Sequence, residues 1–186
     1  MKSVHTLLKL ILLVLLIPGI SHSQVFKADG GYVEFISRAP LLEFKGTSNH
    51  LAGLVDTEQN LVDFYVDLNT LETGIRRRDR DMRNTYLKTD LYPFAEFTGE
   101  LVTPFDPDLN QKQDVKVSGL FRIHGVERRI EVNGTLEAVN GGLNLEATFE
   151  ILLEDYDIER PRVLFYELAD EQIVNISILL QHSDPS

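Results

Sequence analysis

The chain has no cysteine and no tryptophan. Without cysteine it forms no disulfide, offers no thiolate to a metal and has neither a thiol nucleophile nor a site for a lipid anchor, so stability rests on packing alone. Positive charge is also in short supply. Lys and Arg number 18 against 29 Asp and Glu, for a net charge of −11, which argues against nucleic acid phosphates or anionic membrane surfaces as general partners. Histidines are few. Beyond His5 and His22 there are His50, His124 and His182, far apart and without the H-x-x-x-H spacing of a metal site. His124 stands beside the Gly125 turn, where a ring bonded to a nearby backbone group is the plain reading. No serine sits in a G-x-S-x-G elbow and no glycine-rich phosphate loop follows a strand. No catalytic residue, metal or cofactor is therefore assigned.

Long apolar runs are missing with one exception, Leu10–Leu16, preceded by Lys2 and Lys9 and followed by Pro18-Gly19 and small residues. This is the pattern of a secretory signal peptide, residues 1–23, with Ser21 and Ser23 placing cleavage before Gln24. It falls short of the roughly 20 residues that span a bilayer. The expectation is an exported protein, periplasmic or secreted, with one domain over residues 24–186 that is more acidic than the precursor. A chain of this length buries about 70% of its unfolded surface.

What the rest contains is alternation. Val33 and Phe35 flank Glu34; Leu42, Phe44 and Gly46 oppose Glu43 and Lys45, with Leu51, Gly53 and Val55 continuing the series. Val62, Phe64, Val66 and Leu68 face one way and Asp63, Tyr65 and Asp67 the other, the period-two pattern of a half-buried strand. Similar runs follow over Ala95–Leu101, Val115–Ile123, Ile130–Ala138 and Leu143–Ile151. The last, Ile173–Leu180, is apolar on both faces and reads as a strand covered on both sides. Asn140-Gly141 predicts a hairpin with both turn residues at positive φ, and Asp155–Asp170 lacks periodicity. About eight antiparallel strands with tight turns close into a barrel or fold into a sandwich. Glycines at Gly46, Gly53, Gly99, Gly119 and Gly134 favour the curved barrel, where they bend the sheet or leave space beside a ligand.

One stretch, Thr73–Phe97, breaks the alternation. Arg76, Arg77, Arg78, Arg80, Arg83 and Lys88 outnumber Asp79, Asp81 and Asp90 there. Ile75, Met82 and Tyr86 recur at helical spacing, Arg77 with Asp81 and Asp79 with Arg83 form i,i+4 pairs, and Pro93 ends the segment. This predicts a short helix, about 75–87, in a crossover connection. The arginines have two readings: a solvated helix face with one Arg–Asp pair, Arg78 and Asp79, fixing the helix to the barrel, or a guanidinium meeting a head group at a cavity mouth. The aromatics also have two. Phe44, Phe64, Phe97, Phe121 and Phe149, with Val66 and Ile123 on the same faces, are core in a sandwich, or in a barrel line a lumen suited to an apolar chain. In the barrel, Met82 and Tyr86 help to close that space.

Three blocks give the chain a family resemblance: Thr73-Gly74 with Arg78-Asp79 and Met82; Tyr92-Pro93-Phe94-Ala95-Glu96-Phe97; and Gly119–Val126 followed by Arg128 or Arg129. Together, in this order, they resemble the YceI-like family of secreted lipid-binding barrels. The resemblance implies an all-β fold, a single antiparallel eight-stranded lipocalin-like β-barrel whose lumen holds a polyisoprenoid or isoprenoid-quinone chain; an enzyme is not expected, because no constellation of nucleophile, base and orienter can be assembled. Two positions depart from the family pattern. Asp81 stands where His is frequent, and no arginine precedes the Asp-aromatic turn around Leu153–Asp157. The expected role is a carrier or scavenger of an isoprenoid lipid or other long apolar small molecule. The alternative is a stress or assembly factor with a side-chain-filled barrel, acting through its surface. The oligomeric state stays open, a homodimer included.

Overall fold

The computed structural model describes residues 24–39, 42–163 and 166–183. The expected signal peptide lies outside these residues. Ten strands follow in order: β1 (Val25–Ala39), β2 (Leu42–Asp56), β3 (Leu61–Asp67), β4 (Phe94–Leu101), β5 (Lys112–Ile123), β6 (Val126–Val139), β7 (Gly142–Leu152), the short β8 (Arg162–Val163) and β9 (Tyr166–Glu167), and β10 (Glu171–His182). Eight of them close an antiparallel barrel in the order β1-β10-β7-β6-β5-β4-β3-β2, while β8 and β9 pair only with each other. Closure between β1 and β10 removes the free edges that an open sheet would expose.

Alternation sets the inside and the outside. On β3 the even-numbered residues are buried and the odd-numbered ones face water. On β2 the inward set changes parity. Phe44, Gly46 and Ser48 are buried, then Leu51 and Val55, because the pairing with β1 shifts between Gly31–Leu51 and Val33–Ser48 and β2 carries one extra residue there. Such a bulge re-aims every later side chain, so Leu51, Gly53 and Val55 do not continue the series that Phe44 begins. The expected double cover of β10 is absent as well. Ile178 and Leu180 are buried but Leu179 is 52% exposed, since a single-walled barrel has nothing packed outside that strand.

The turns follow their side chains. Asp56 accepts from the backbone N–H of Glu58 and Gln59 at 3.0 and 2.9 Å, which curls the chain between β2 and β3. In the Asn140-Gly141 turn only Gly141 takes a positive φ, 77°. The turn with both central residues at positive φ is His124-Gly125, at 55° and 79°. At Gly46, Gly53, Gly99 and Gly119 the missing side chain makes room for a phenylalanine ring rather than for open space, whereas Gly134 faces the Glu146 carbonyl and Ala147. A side chain on Gly53 would run into Phe64, and one on Gly119 would meet Phe97 Cζ at 2.6 Å and the Thr98 carbonyl at 2.5 Å.

The helical connection is α1 (Arg76–Asp81), continued by a wider helical turn over Met82–Leu87 and ended by Lys88 at φ 49°. This agrees with the helix expected at about 75–87. It lies at the same barrel end as the His124-Gly125 turn and the Leu153–Asp170 excursion. Among the described residues, the opposite end carries the turns between β2 and β3 and between β6 and β7, the loop at 102–111, and the ends of β1 and β10.

Candidate ligand cavity

The inward side chains do not fill the barrel. They leave an apolar-walled cavity of about 630 Å³, within the ~300–1,000 Å³ of small-molecule sites. At the hairpin end the floor is packed: Val55 and Leu180 are 0% exposed and Leu143 is 1% exposed. Above it the cavity is lined by Val62, Leu101 and Leu136 and continues toward the helical end.

All nine apolar positions singled out in the sequence lie on its wall. Phe64 and Val66 come from β3, Phe97 from β4, Phe121 and Ile123 from β5, Phe149 from β7 and Phe44 from β2, while Met82 and Tyr86 descend from the helical connection. Phe121 is the hub of an aromatic cluster, edge-on to Phe149 at 5.7 Å and to Tyr156 at 5.5 Å. Edge-to-face pairs add roughly 0.5–1.5 kcal/mol to the burial of their rings.

The mouth arises from unequal strand lengths. β3 pairs with β2 only along Leu51–Asp56, so β2 from 42 to 50 has no long strand on that flank; Thr47 bridges to Glu72 through two 2.9 Å hydrogen bonds and the Ser48 hydroxyl meets that of Thr70 at 2.5 Å. α1 lies over this gap. Ile75, Arg77, Arg78 and Asp81 border the cavity, and the Arg78 guanidinium stacks 4.2 Å from the centre of the Phe44 ring.

Asp79 is not on the cavity wall. Its Oδ1 accepts from Thr73 N–H at 2.7 Å and from Thr73 Oγ1 at 2.6 Å, tying α1 to the chain that leads into it. The partner of Asp79 is thus Thr73 and neither the expected Arg78, which lies on the Phe44 ring, nor Arg83, whose Nη2 donates instead to the Leu71 carbonyl at 2.8 Å. The other expected helical pair, Arg77 with Asp81, is formed at 3.8 Å. Both its side chains are well exposed, so it contributes little.

The excursion after β7 roofs the cavity. Ile158, Pro161 and Leu168 line it, held by the Ile158 N–H to Leu153 carbonyl bond at 3.0 Å and the Leu168 N–H to Pro161 carbonyl bond at 2.9 Å. Tyr156 is 2% exposed; burial, with the charge of Asp155 second, raises its phenol above the usual value of 10.0. His124 Nδ1 lies 3.1 Å from the Tyr156 carbonyl, and its ring packs edge-on to Tyr92 at 5.0 Å. That histidine therefore joins the turn, the roof and the Tyr92-Pro93 segment.

Two polar wall residues were not singled out in the sequence, Ser37 and Gln172. They are cross-strand partners on β1 and β10. The inward series Val33, Phe35, Ser37 was a signal that could have found the first; nothing in the aperiodic excursion could have found Ile158 or Leu168. Among the described residues no three of His, Asp and Glu gather to hold a metal ion, and no helix is long and apolar enough to cross a membrane.

The YceI-like domain family model matches residues 21–180. No curated protein matches the chain in sequence. Among solved structures, a polyisoprenoid binding domain from Saccharophagus degradans is similar at a TM-score of 0.73 and 19% identity, covering 87% of this chain and 99% of that one. Burkholderia cenocepacia BcnA is similar at 0.67 and 14%, covering 81% and 95%. A Campylobacter jejuni YCEI protein is similar at 0.60 and 17%, covering 77% and 88%.

Proposed function

The chain belongs to the YceI-like domain family, and from that premise we propose that it is a non-enzymatic lipid-binding protein that holds a polyisoprenoid or isoprenoid-quinone chain in its barrel as a carrier or scavenger. The observation that carries this reading is the 630 Å³ cavity, floored at one end and bordered by α1 at the other. Its wall is aliphatic and aromatic, so the affinity comes from burial, roughly 25 cal/mol per Å² of apolar area before ordering costs are subtracted. The Saccharophagus degradans neighbour is described as polyisoprenoid binding, which supports the same ligand class here. The first 23 residues support export to the periplasm or beyond. A surface-acting factor with a filled barrel draws no support from a lumen with this much space.

Native mass spectrometry and lipid extraction of the protein purified from its own source test the proposal. Bound isoprenoid lipid, lost on delipidation and regained on titration, is the expected result. Empty protein together with no saturable binding of any isoprenoid alcohol or quinone refutes it.

A further inference from the structure

Apart from Thr73 and the charged residues bordering the cavity at the helical end, its wall is apolar but for one uncharged pair, Ser37 and Gln172. Ser37 is 2% exposed, lines the cavity, and its Oγ has no hydrogen-bond partner. A buried hydroxyl left unpaired carries a desolvation cost that a folded domain rarely leaves unmet. Its position is fixed on both sides. Across one ladder stands Gln172, 5% exposed and also on the wall; across the other stands Phe44, the residue that carries Arg78 on its ring. Gln172 is itself immobilised, its Nε2 donating to the carbonyls of Ala169 and Glu171 at 2.8 and 3.1 Å. The hydroxyl thus stands on a rigid wall near the roof, at the helical end of an otherwise apolar tube.

Charges near this level do not favour an anion. Arg77, Arg78, Asp81 and Glu96 border the cavity, two of each sign. Asp81 lies 3.8 Å from Arg77 and 4.0 Å from Arg80, and Glu96 is bonded to Arg122. A diphosphate entering here would meet as many carboxylates as guanidiniums on the cavity border, with Arg77 beside Asp81 and Arg78 lying on the Phe44 ring. An uncharged oxygen meets a free hydroxyl that can both donate and accept.

We infer that Ser37 is a ligand-binding residue: its hydroxyl hydrogen-bonds an uncharged oxygen, carbonyl or hydroxyl, on the polar end of the ligand, which sits under the roof while the apolar tail runs down to the Val55–Leu180 floor. This rests on the lipid-binding reading above and adds to it the class and place of the head group.

The test is a two-by-two cycle with geranylgeraniol and the matching hydrocarbon lacking the hydroxyl, each competed against a fluorescent apolar probe, on wild-type and Ser37→Ala protein, with geranylgeranyl diphosphate as a third ligand. The alcohol loses affinity about tenfold on Ser37→Ala while the hydrocarbon does not change. Ser37→Cys, close in shape but a weak donor, behaves like the alanine variant. The melting temperature of the ligand-free variants stays level or rises, since no protein partner is lost. The diphosphate binds more weakly than the alcohol to wild type. If wild type binds the alcohol but Ser37→Ala binds it equally well, or if the diphosphate binds best, the Ser37 inference falls and the lipid-binding reading stands. If neither these three ligands nor an isoprenoid quinone binds wild type saturably, both fall.

Discussion

Removing the Asp79 carboxylate is the sharpest test of how the helical connection is held. In Asp79→Ala, Thr73 loses acceptors at 2.7 Å for its N–H and at 2.6 Å for its hydroxyl. Hydrogen bonds to a charged group contribute about 1.5–3 kcal/mol each when buried. Asp79 is only half-buried, and water replaces part of what is lost, so the expected cost for the two together is about 2–3 kcal/mol. Thr73→Val removes only the hydroxyl bond and costs about 1 kcal/mol. Because the two substitutions share that bond, the double variant should be more stable than additivity predicts by about 1 kcal/mol. Asp79→Asn keeps an acceptor oxygen and recovers about half of the alanine loss.

Urea denaturation of wild type and the four variants gives these differences, and native-state amide exchange at Thr73 reports the local bond directly. A loss below about 0.5 kcal/mol with unchanged exchange at Thr73 would refute the claim that this carboxylate ties down α1. Strict additivity would show that the two residues do not interact. Since α1 borders the cavity, the same variant should also release an isoprenoid probe faster, with little change in its association rate.

Other outcomes follow from the same geometry. Arg78→Ala should cost about 0.5–1 kcal/mol for the lost stacking on Phe44, with binding of geranylgeraniol in a competition assay within about twofold of wild type; lost binding at unchanged stability would instead assign the guanidinium to the head group. Gly119→Ala should lower stability by about 1–3 kcal/mol in a thermal melt, because its Cβ would press on the Thr98 carbonyl and the Phe97 ring; an unchanged melting temperature would contradict that packing. Tyr156 has a raised pKa in the folded state, so its contribution is full below the unfolded value of 10.0 and is lost as pH rises through the higher folded one. Tyr156→Phe should therefore flatten the alkaline decline in urea stability above about pH 10 relative to wild type, and an unaltered slope would count against the burial of that phenol.

Much of the fold was legible because one physical rule, burial on alternate residues, repeats along nearly every strand. Phe64, Phe97, Phe121 and Phe149 announce an inward face from four strands, and glycines among them point to curvature. Barrel closure was not legible from any single segment, since the β1–β10 pairing joins residues as distant as Phe26 and His182. The parity change on β2 was hidden because a bulge leaves no compositional mark when polar Asn49 and His50 stand at it. Helix propensity and charge spacing located α1, yet they paired Asp79 with Arg83. The preferred partner was Thr73, which precedes the helix, and i,i+4 reasoning looks only along a helix. The roof escaped notice for want of periodicity: Ile158 and Leu168 are placed by loop hydrogen bonds rather than by a repeating face.

The packed floor of Val55, Leu143 and Leu180 has a kinetic consequence. A tube shut at one end is not a conduit. For the carrier proposed above, cargo would enter and leave by the same door, so a donor and an acceptor could not be engaged on opposite sides at once. Delivery by that carrier would be a shuttle in two half-reactions, with the loaded protein parting from the donor before it meets the acceptor. Transfer rates measured against donor and acceptor concentration should show the parallel-line pattern of a substituted carrier rather than the converging lines of a bridge.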